Sequence, residues 1–224
     1  MTQPLPLILL PGIGTDARVF AVQKMAFPQI IVPPWIAPQW NESLPEYAAR
    51  MADSVNIMGP CYIGGMSFGG MVALEMSRHL PAKACFLIST IRSAAELPWW
   101  ARWLGPGACL LPPWTDWVVS ATGTVLLRTV GPVLPKSLKQ SCTHLSRMYP
   151  CPMLPWACRA VVKWRPDPDG WACPIYHLHG DRDRVIPHGR TTSTQLVPDG
   201  GHVLPLTHPF IVNDFLRRSI EDAQ

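Results

Sequence analysis

Apolar residues follow two alternating patterns along this chain. Short unbroken apolar runs fill residues 5–10, 29–32, 61–64, 84–89 and 175–178, with a weaker one at 195–197. The first two stop at Pro11-Gly12 and Pro33-Pro34. Runs of this length, closed by turn residues, suit strands buried on both faces of a sheet. Between them the apolar positions return every three or four residues. Ser43-Leu44-Pro45-Glu46 has capping-box spacing with Pro in the first turn. It opens a predicted helix with Leu44, Tyr47, Ala48, Met51, Val55 and Met58 on one face. Further helices are predicted over 68–80 and 209–220. Strands alternating with helices at this spacing predict an α/β architecture built on a parallel, doubly wound sheet.

The pattern breaks between residues 92 and 171. That block holds 8 of the 10 Trp and 11 of the 26 Pro, and carries a local excess of positive charge. Eighty residues are too many for a structureless loop. The predicted organisation is a core from 1–91 and 172–224, with 92–171 inserted as a Trp- and Pro-rich helical cap.

Composition narrows the classes. The 224 residues are 48% hydrophobic and 15% charged, which excludes general disorder. No apolar run approaches the ~20 residues of a spanning helix, and stable membrane insertion is not expected. The N-terminus lacks a basic segment followed by a full apolar stretch, so no secretion signal is expected. The net charge of +4 comes from scattered Lys and Arg, with no basic run beyond Arg217-Arg218. Nucleic-acid binding needs a concentrated positive field and is not expected. Seven Cys without any C-x-x-C spacing read as free thiols of a reducing, cytoplasmic setting, although a pair among Cys109, Cys142, Cys151 and Cys158 is conceivable for an exported protein.

Candidate chemistry begins where the third strand meets its helix, at Gly65-Met66-Ser67-Phe68-Gly69. A sharp strand-to-helix turn forces its central residue into a strained backbone conformation. The residues two before and two after must be small, because chain passes close by. The Ser67 hydroxyl is thereby pushed out at a helix N-terminus, where amides and the dipole favour developing negative charge. A serine nucleophile needs a base and the base an acid. His202 follows Gly200-Gly201 in a loop ahead of the last helix, where the chain returns to the top of the sheet; His208 reads as a first-turn residue. The acid lies in His179-Gly180-Asp181-Arg182-Asp183, beyond the strand at 175–178. Asp183 stands further out and can turn toward His202, whereas Asp181 suits a turn-holding role. The choice between them is open on sequence, with Asp183 preferred.

His177-Leu178-His179-Gly180-Asp181 also forms an H-x-H-x-D string of the kind found in dinuclear zinc hydrolases. That string continues with a second His where this chain has Arg182, a cation that repels a metal. Strand-end histidines satisfied by backbone are the simpler reading, and no metal is expected. For an oxyanion, the backbone N–H groups of Ile13, in the loop after the first strand, and of Phe68 are the candidate donors. The Gly12-Ile13-Gly14 of that loop lacks the third Gly and the acidic partner of a dinucleotide fingerprint.

In chain order, the Gly-x-Gly loop, Gly65-Met66-Ser67-Phe68-Gly69, Gly180-x-x-Asp183-x-x-x-Pro187 and Gly200-Gly201-His202 resemble the α/β-hydrolase superfamily over roughly residues 5–91 and 173–222. The resemblance implies Ser67 as nucleophile, His202 as base, Asp183 as acid, Ile13 and Phe68 as oxyanion donors, and a lid at the inserted block. Pro11-Gly12 replaces the family's usual His-Gly. The chain enters its first parallel strand almost at once, so about six strands are expected. The implied activity is hydrolysis of a small-molecule carboxylic ester through an acyl-enzyme, without any cofactor. Met66, Trp99, Trp100 and Trp103 are the candidate pocket residues. The same Trp residues could equally serve to pack the cap. Alternatives are an acyl thioesterase, whose phosphate-bearing substrate would suit a positive cap, a carbon–carbon bond hydrolase or lyase, and a non-catalytic receptor.

Overall fold

The computed structural model describes residues 4–97, 153–166 and 170–224. Six strands form one sheet: β1 (Leu7–Leu10), β2 (Ile30–Ile31), β3 (Cys61–Met66), β4 (Ala82–Ile88), β5 (Ile175–Gly180) and β6 (Gln195–Val197). Their spatial order is β2-β1-β3-β4-β5-β6, and every pairing is parallel. The helices are α1 (Ala21–Ala26), α2 (Leu44–Val55), α3 (Phe68–Met76), α4 (Met153–Lys163), α5 (Leu204–Thr207) and α6 (Pro209–Asp222).

Side-chain alternation along the strands divides the core into two layers. Ile8, Leu10, Ile63, Cys85 and Leu87 face α2, α3 and α4 on one side. Leu7, Leu9, Tyr62, Met66, Phe86 and Ile88 face the short helical turn Ala17–Phe20, α5 and α6 on the other. β1, β3 and the inner part of β4 are buried throughout, which explains their unbroken apolar runs.

α2 starts where the sequence predicts. Ser43 Oγ accepts from the Glu46 N–H, and the Glu46 carboxylate accepts from the Ser43 N–H at 2.8 Å. The helix stops at Val55 because Asn56 takes the left-handed conformation, φ 52°. Met58 therefore lies beyond the helix and is 90% exposed, contrary to its place on the predicted apolar face. α3 also ends earlier than expected, at Met76. There Ser77 turns its hydroxyl back onto the Leu74 carbonyl at 2.6 Å, and Pro81 follows shortly after. Three strands run longer than predicted: β3 continues through Met66, β4 begins two residues earlier at Ala82 and ends at Ile88, and β5 continues through His179 and Gly180. β1 is shorter and begins after Pro6, whose carbonyl accepts from the Tyr62 N–H.

α3 is buried on all sides, so it carries no polar face. Against it lies α4, from the sequence block predicted as cap. Trp156 donates its indole N–H to the Glu42 carbonyl at 2.8 Å and stacks near Tyr47. Trp164 donates to Glu75 Oε1 at 2.6 Å. These two Trp pack into the same cluster as the strands. Trp99, Trp100 and Trp103, with the rest of 98–152, lie outside the described residues.

Candidate active site

The strand order reverses direction at β1: the chain adds β2 on one side and then crosses to lay β3 on the other. In open parallel sheets such a switch point leaves a crevice beyond the strand C-termini. The loop after β1 contains Ile13, and the turn after β3 contains Ser67.

That turn is built by close packing. A side chain on Gly65 would strike the backbone of Gly69 and Gly70, and one on Gly69 would strike the carbonyls of Leu10 and Pro11. Only glycine lets the three chain segments meet. Ser67 between them has φ 54° and ψ −126°, a conformation that residues with a Cβ rarely adopt. Its backbone is clamped: the Ser67 N–H donates to Ile88 O at 3.0 Å, and Thr90 Oγ1 donates to Ser67 O at 2.6 Å.

Two further loops converge on it. The Arg182 N–H donates to Gly200 O, tying the loop after β5 to the loop after β6. His202 Nε2 lies 3.0 Å from Ser67 Oγ, and His202 Nδ1 lies 2.8 Å from Asp183 Oδ2. His202 and Asp183 are both buried. With the proton on Nδ1, His202 donates to the carboxylate and presents a lone pair to the Ser67 hydroxyl.

Asp183 does two jobs that the sequence reading divided between two residues. Its Oδ1 accepts from the Val185 and Ile186 N–H groups at 2.8 and 2.9 Å, which holds the turn, while Oδ2 faces His202. Asp181, expected to hold that turn, has Oδ1 buried without a hydrogen-bond partner among the described residues. Burial alone would raise the Asp183 carboxyl. Hydrogen bonds from His179 and His202, the charge of His202 and the Ile186 N–H outweigh it and hold the carboxyl well below its ordinary range.

Phe68 is the first residue of α3, so its amide is one of those without a carbonyl partner in the helix. Ile13 is half-buried against the α3 side of the core, in a turn closed by Thr15, which donates to the Gly12 carbonyl through both N–H and Oγ1. Met66 points to the opposite layer, with Cε close beneath Gly12. Three neighbours were not singled out from sequence as site residues. Trp35 and Trp156 lie 5.7 and 5.9 Å from the Phe68 ring. Trp35 follows β2 on the same edge of the sheet as Ser67; an aromatic just after Pro33-Pro34 was the available signal. His179 is the third, with Nε2 3.2 Å from Asp183 Oδ2.

Among the described residues no group of three or more His, Cys, Asp or Glu is arranged to hold a metal. No helix among them is long and apolar enough to cross a membrane.

No family model matches the sequence, and no curated protein matches it. Solved structures do. An epoxide hydrolase, CorEH, aligns at TM-score 0.72 and 17% identity over 99% of this chain and 93% of its own. A thermophilic esterase from Thermogutta terrifontis aligns at 0.67 and 19%, over 98% and 90%. The chain has the α/β-hydrolase fold. An N-acyl homoserine lactonase, AidH, shares this fold at TM-score 0.66 and 17% identity, over 99% and 90%. The α/β-hydrolase fold thus carries different reactions among these neighbours, and the chemistry of this chain rests on its own side chains.

Proposed function

We propose that this protein is a serine hydrolase of carboxylic esters, with Ser67 as nucleophile, His202 as general base and acid, and Asp183 as the orienting carboxylate. The observation that carries the reading is the unbroken chain Asp183 Oδ2–His202–Ser67 Oγ, 2.8 and 3.0 Å long, at the sheet's switch point. As Ser67 Oγ attacks the acyl carbon, His202 Nε2 takes its proton. Asp183 stabilises the imidazolium formed. The N–H groups of Phe68 and Ile13 serve the oxyanion. His202 then protonates the leaving alcohol, and a water deprotonated by the same ring releases the acid.

The ring of Phe68, the residue after Ser67, meets those of Trp35 and Trp156, and this apolar surround suits an apolar acyl group. Among the described residues Cys61, Cys85 and Cys173 are free thiols, which fits a cytoplasmic setting.

The test is turnover of p-nitrophenyl esters from acetate to palmitate. Ser67→Ala is expected to lower kcat/KM by at least about 10^4-fold, and Asp183→Asn by about 10^3- to 10^4-fold. Asp181→Asn is expected to stay within about threefold of wild type. Wild-type turnover of acyl thioesters but not oxygen esters would move the assignment to a thioesterase. Activity surviving in Ser67→Ala would overturn the mechanism.

A further inference from the structure

The H-x-H-x-D string is not absorbed by the mechanism above, yet it sits directly behind the acid. His177 and His179 are both fully buried at the end of β5. Their rings lie edge to face, with His179 Nδ1 3.3 Å from His177 Nε2. His179 Nε2 lies between two acceptors, the Ile186 carbonyl at 2.8 Å and Asp183 Oδ2 at 3.2 Å. A bare lone pair would be repelled by both oxygens, so Nε2 carries the proton whether the ring is neutral or charged. Asp183 Oδ2 thus faces two imidazole N–H groups, one from His202 and one from His179, while Oδ1 takes two backbone N–H groups.

We propose that His179 is a positioning residue: it fixes the Asp183 carboxylate against His202 and, by sharing that carboxylate, limits how strongly Asp183 can stabilise the His202 imidazolium. The inference rests on the serine-hydrolase reading for its consequence, but its geometry does not. A carboxylate oxygen that accepts a second donor attracts the first less, so the His202 imidazolium is stabilised less than by an unshared Asp183. Losing the His179 donor leaves the whole of the Asp183 carboxylate to the His202 N–H.

The surrounding charges do not supply this effect. On the same loop stand Asp183 and Asp181, and from the loop after β6 comes His202. From the segment after β4 comes Arg92, with Glu96 accepting from its N–H and Cys85 of β4 beside it. Arg92 bears on His177. Burial first, then the neighbouring His179 and Arg92, push His177 down to about 3, so His177 stays neutral and serves as a fixed uncharged brace for His179.

The experiment is imidazole 15N NMR on histidine-labelled protein, with the seven His assigned by single substitutions. In wild type the expected finding is a protonated Nε2 on His179. In His179→Phe the His202 midpoint is expected to rise by about half to one pH unit, and in His179→Gln, whose amide can still donate, to return toward wild type. The acid limb of kcat/KM should move with it while KM is unchanged. A His179 ring with a bare Nε2 in wild type overturns the inference, even if His179→Phe fails to fold. An unmoved His202 midpoint in folded His179→Phe overturns it as well. Loss of the esterase reading shows separately, as absent ester turnover in a protein whose histidines still titrate as described.

Discussion

At the scale of single residues, the site is a set of side chains whose ionisation is set by what touches them. His177 gives the sharpest consequence. Its folded-state pKa of about 3 lies well below the ordinary histidine value near 6.5. Between those values the unfolded chain binds a proton that the native chain does not, so stability falls as pH falls through this window and is intact above it. Between pH 7 and pH 5 the loss from this one group is about 2 kcal/mol. His177→Gln is expected to flatten that part of the profile, read as the urea midpoint at the two pH values. Equal losses in wild type and variant would show that His177 is not the group responsible. The same scale shows what a sequence can hide. Ser67 was legible because its turn is local, written in Gly65 and Gly69. The pairing of His202 with a loop residue followed from chain order. The contact between His179 and Asp183 was not legible, because a four-residue separation across a strand end says nothing about which way each side chain turns. Asp183 was preferred over Asp181 for reaching outward, but it also makes the inward bonds expected of Asp181.

At the scale of elements, starts were read better than stops. The beginning of α2 is chemically explicit, since Ser43 and Glu46 satisfy each other's backbone N–H groups. Ser43→Ala is expected to cost about 1 kcal/mol in chemical unfolding, with no change in ester turnover. A cost near zero would mean that the Glu46 half of the box suffices. The ends of α2 and α3 depend instead on a left-handed Asn56 and a back-bonded Ser77, neither of which breaks the apolar periodicity. Met58 continued the helical spacing on paper while the backbone had already turned away. β5 was cut short at Leu178 because His179 and Gly180 do not look like strand residues; they are buried at a strand end that serves the site.

At the scale of the whole molecule, the three layers and the six-stranded parallel sheet were legible from unbroken apolar runs alternating with helical periods. The place of α4 was not. Residues 92–171 read as one cap insertion, and the Trp residues weighed as pocket or packing were Trp99, Trp100 and Trp103, since indole buries a large area in either role. The structure seats Trp156 and Trp164 in the core layer that also holds α2 and α3. Trp164 donates to Glu75, whose other oxygen faces Arg78, and Arg78 in turn reaches the Gly170 carbonyl and the Trp171 ring. This network fastens the far end of the inserted block to α3, the helix that follows Ser67. Trp164→Phe keeps the ring packing but deprives the buried Glu75 Oε1 of this donor. It is expected to cost about 1–3 kcal/mol of stability, measured by urea unfolding. A neutral result would mean that Arg78 alone satisfies Glu75.

The backbone of Ser67 links these scales. A residue with a Cβ held at φ 54° and ψ −126° carries about 1–3 kcal/mol of conformational strain, and glycine there carries almost none. Ser67→Ala leaves that strain in place, whereas Ser67→Gly removes it. Of two equally inactive variants, the glycine one should therefore melt later, by about 1 kcal/mol after allowing for its freer unfolded chain. The fold would rest more easily without a side chain at this turn: the proposed nucleophile is held against the molecule's own thermodynamic preference, and a variant selected only for heat resistance should drift toward glycine at this position.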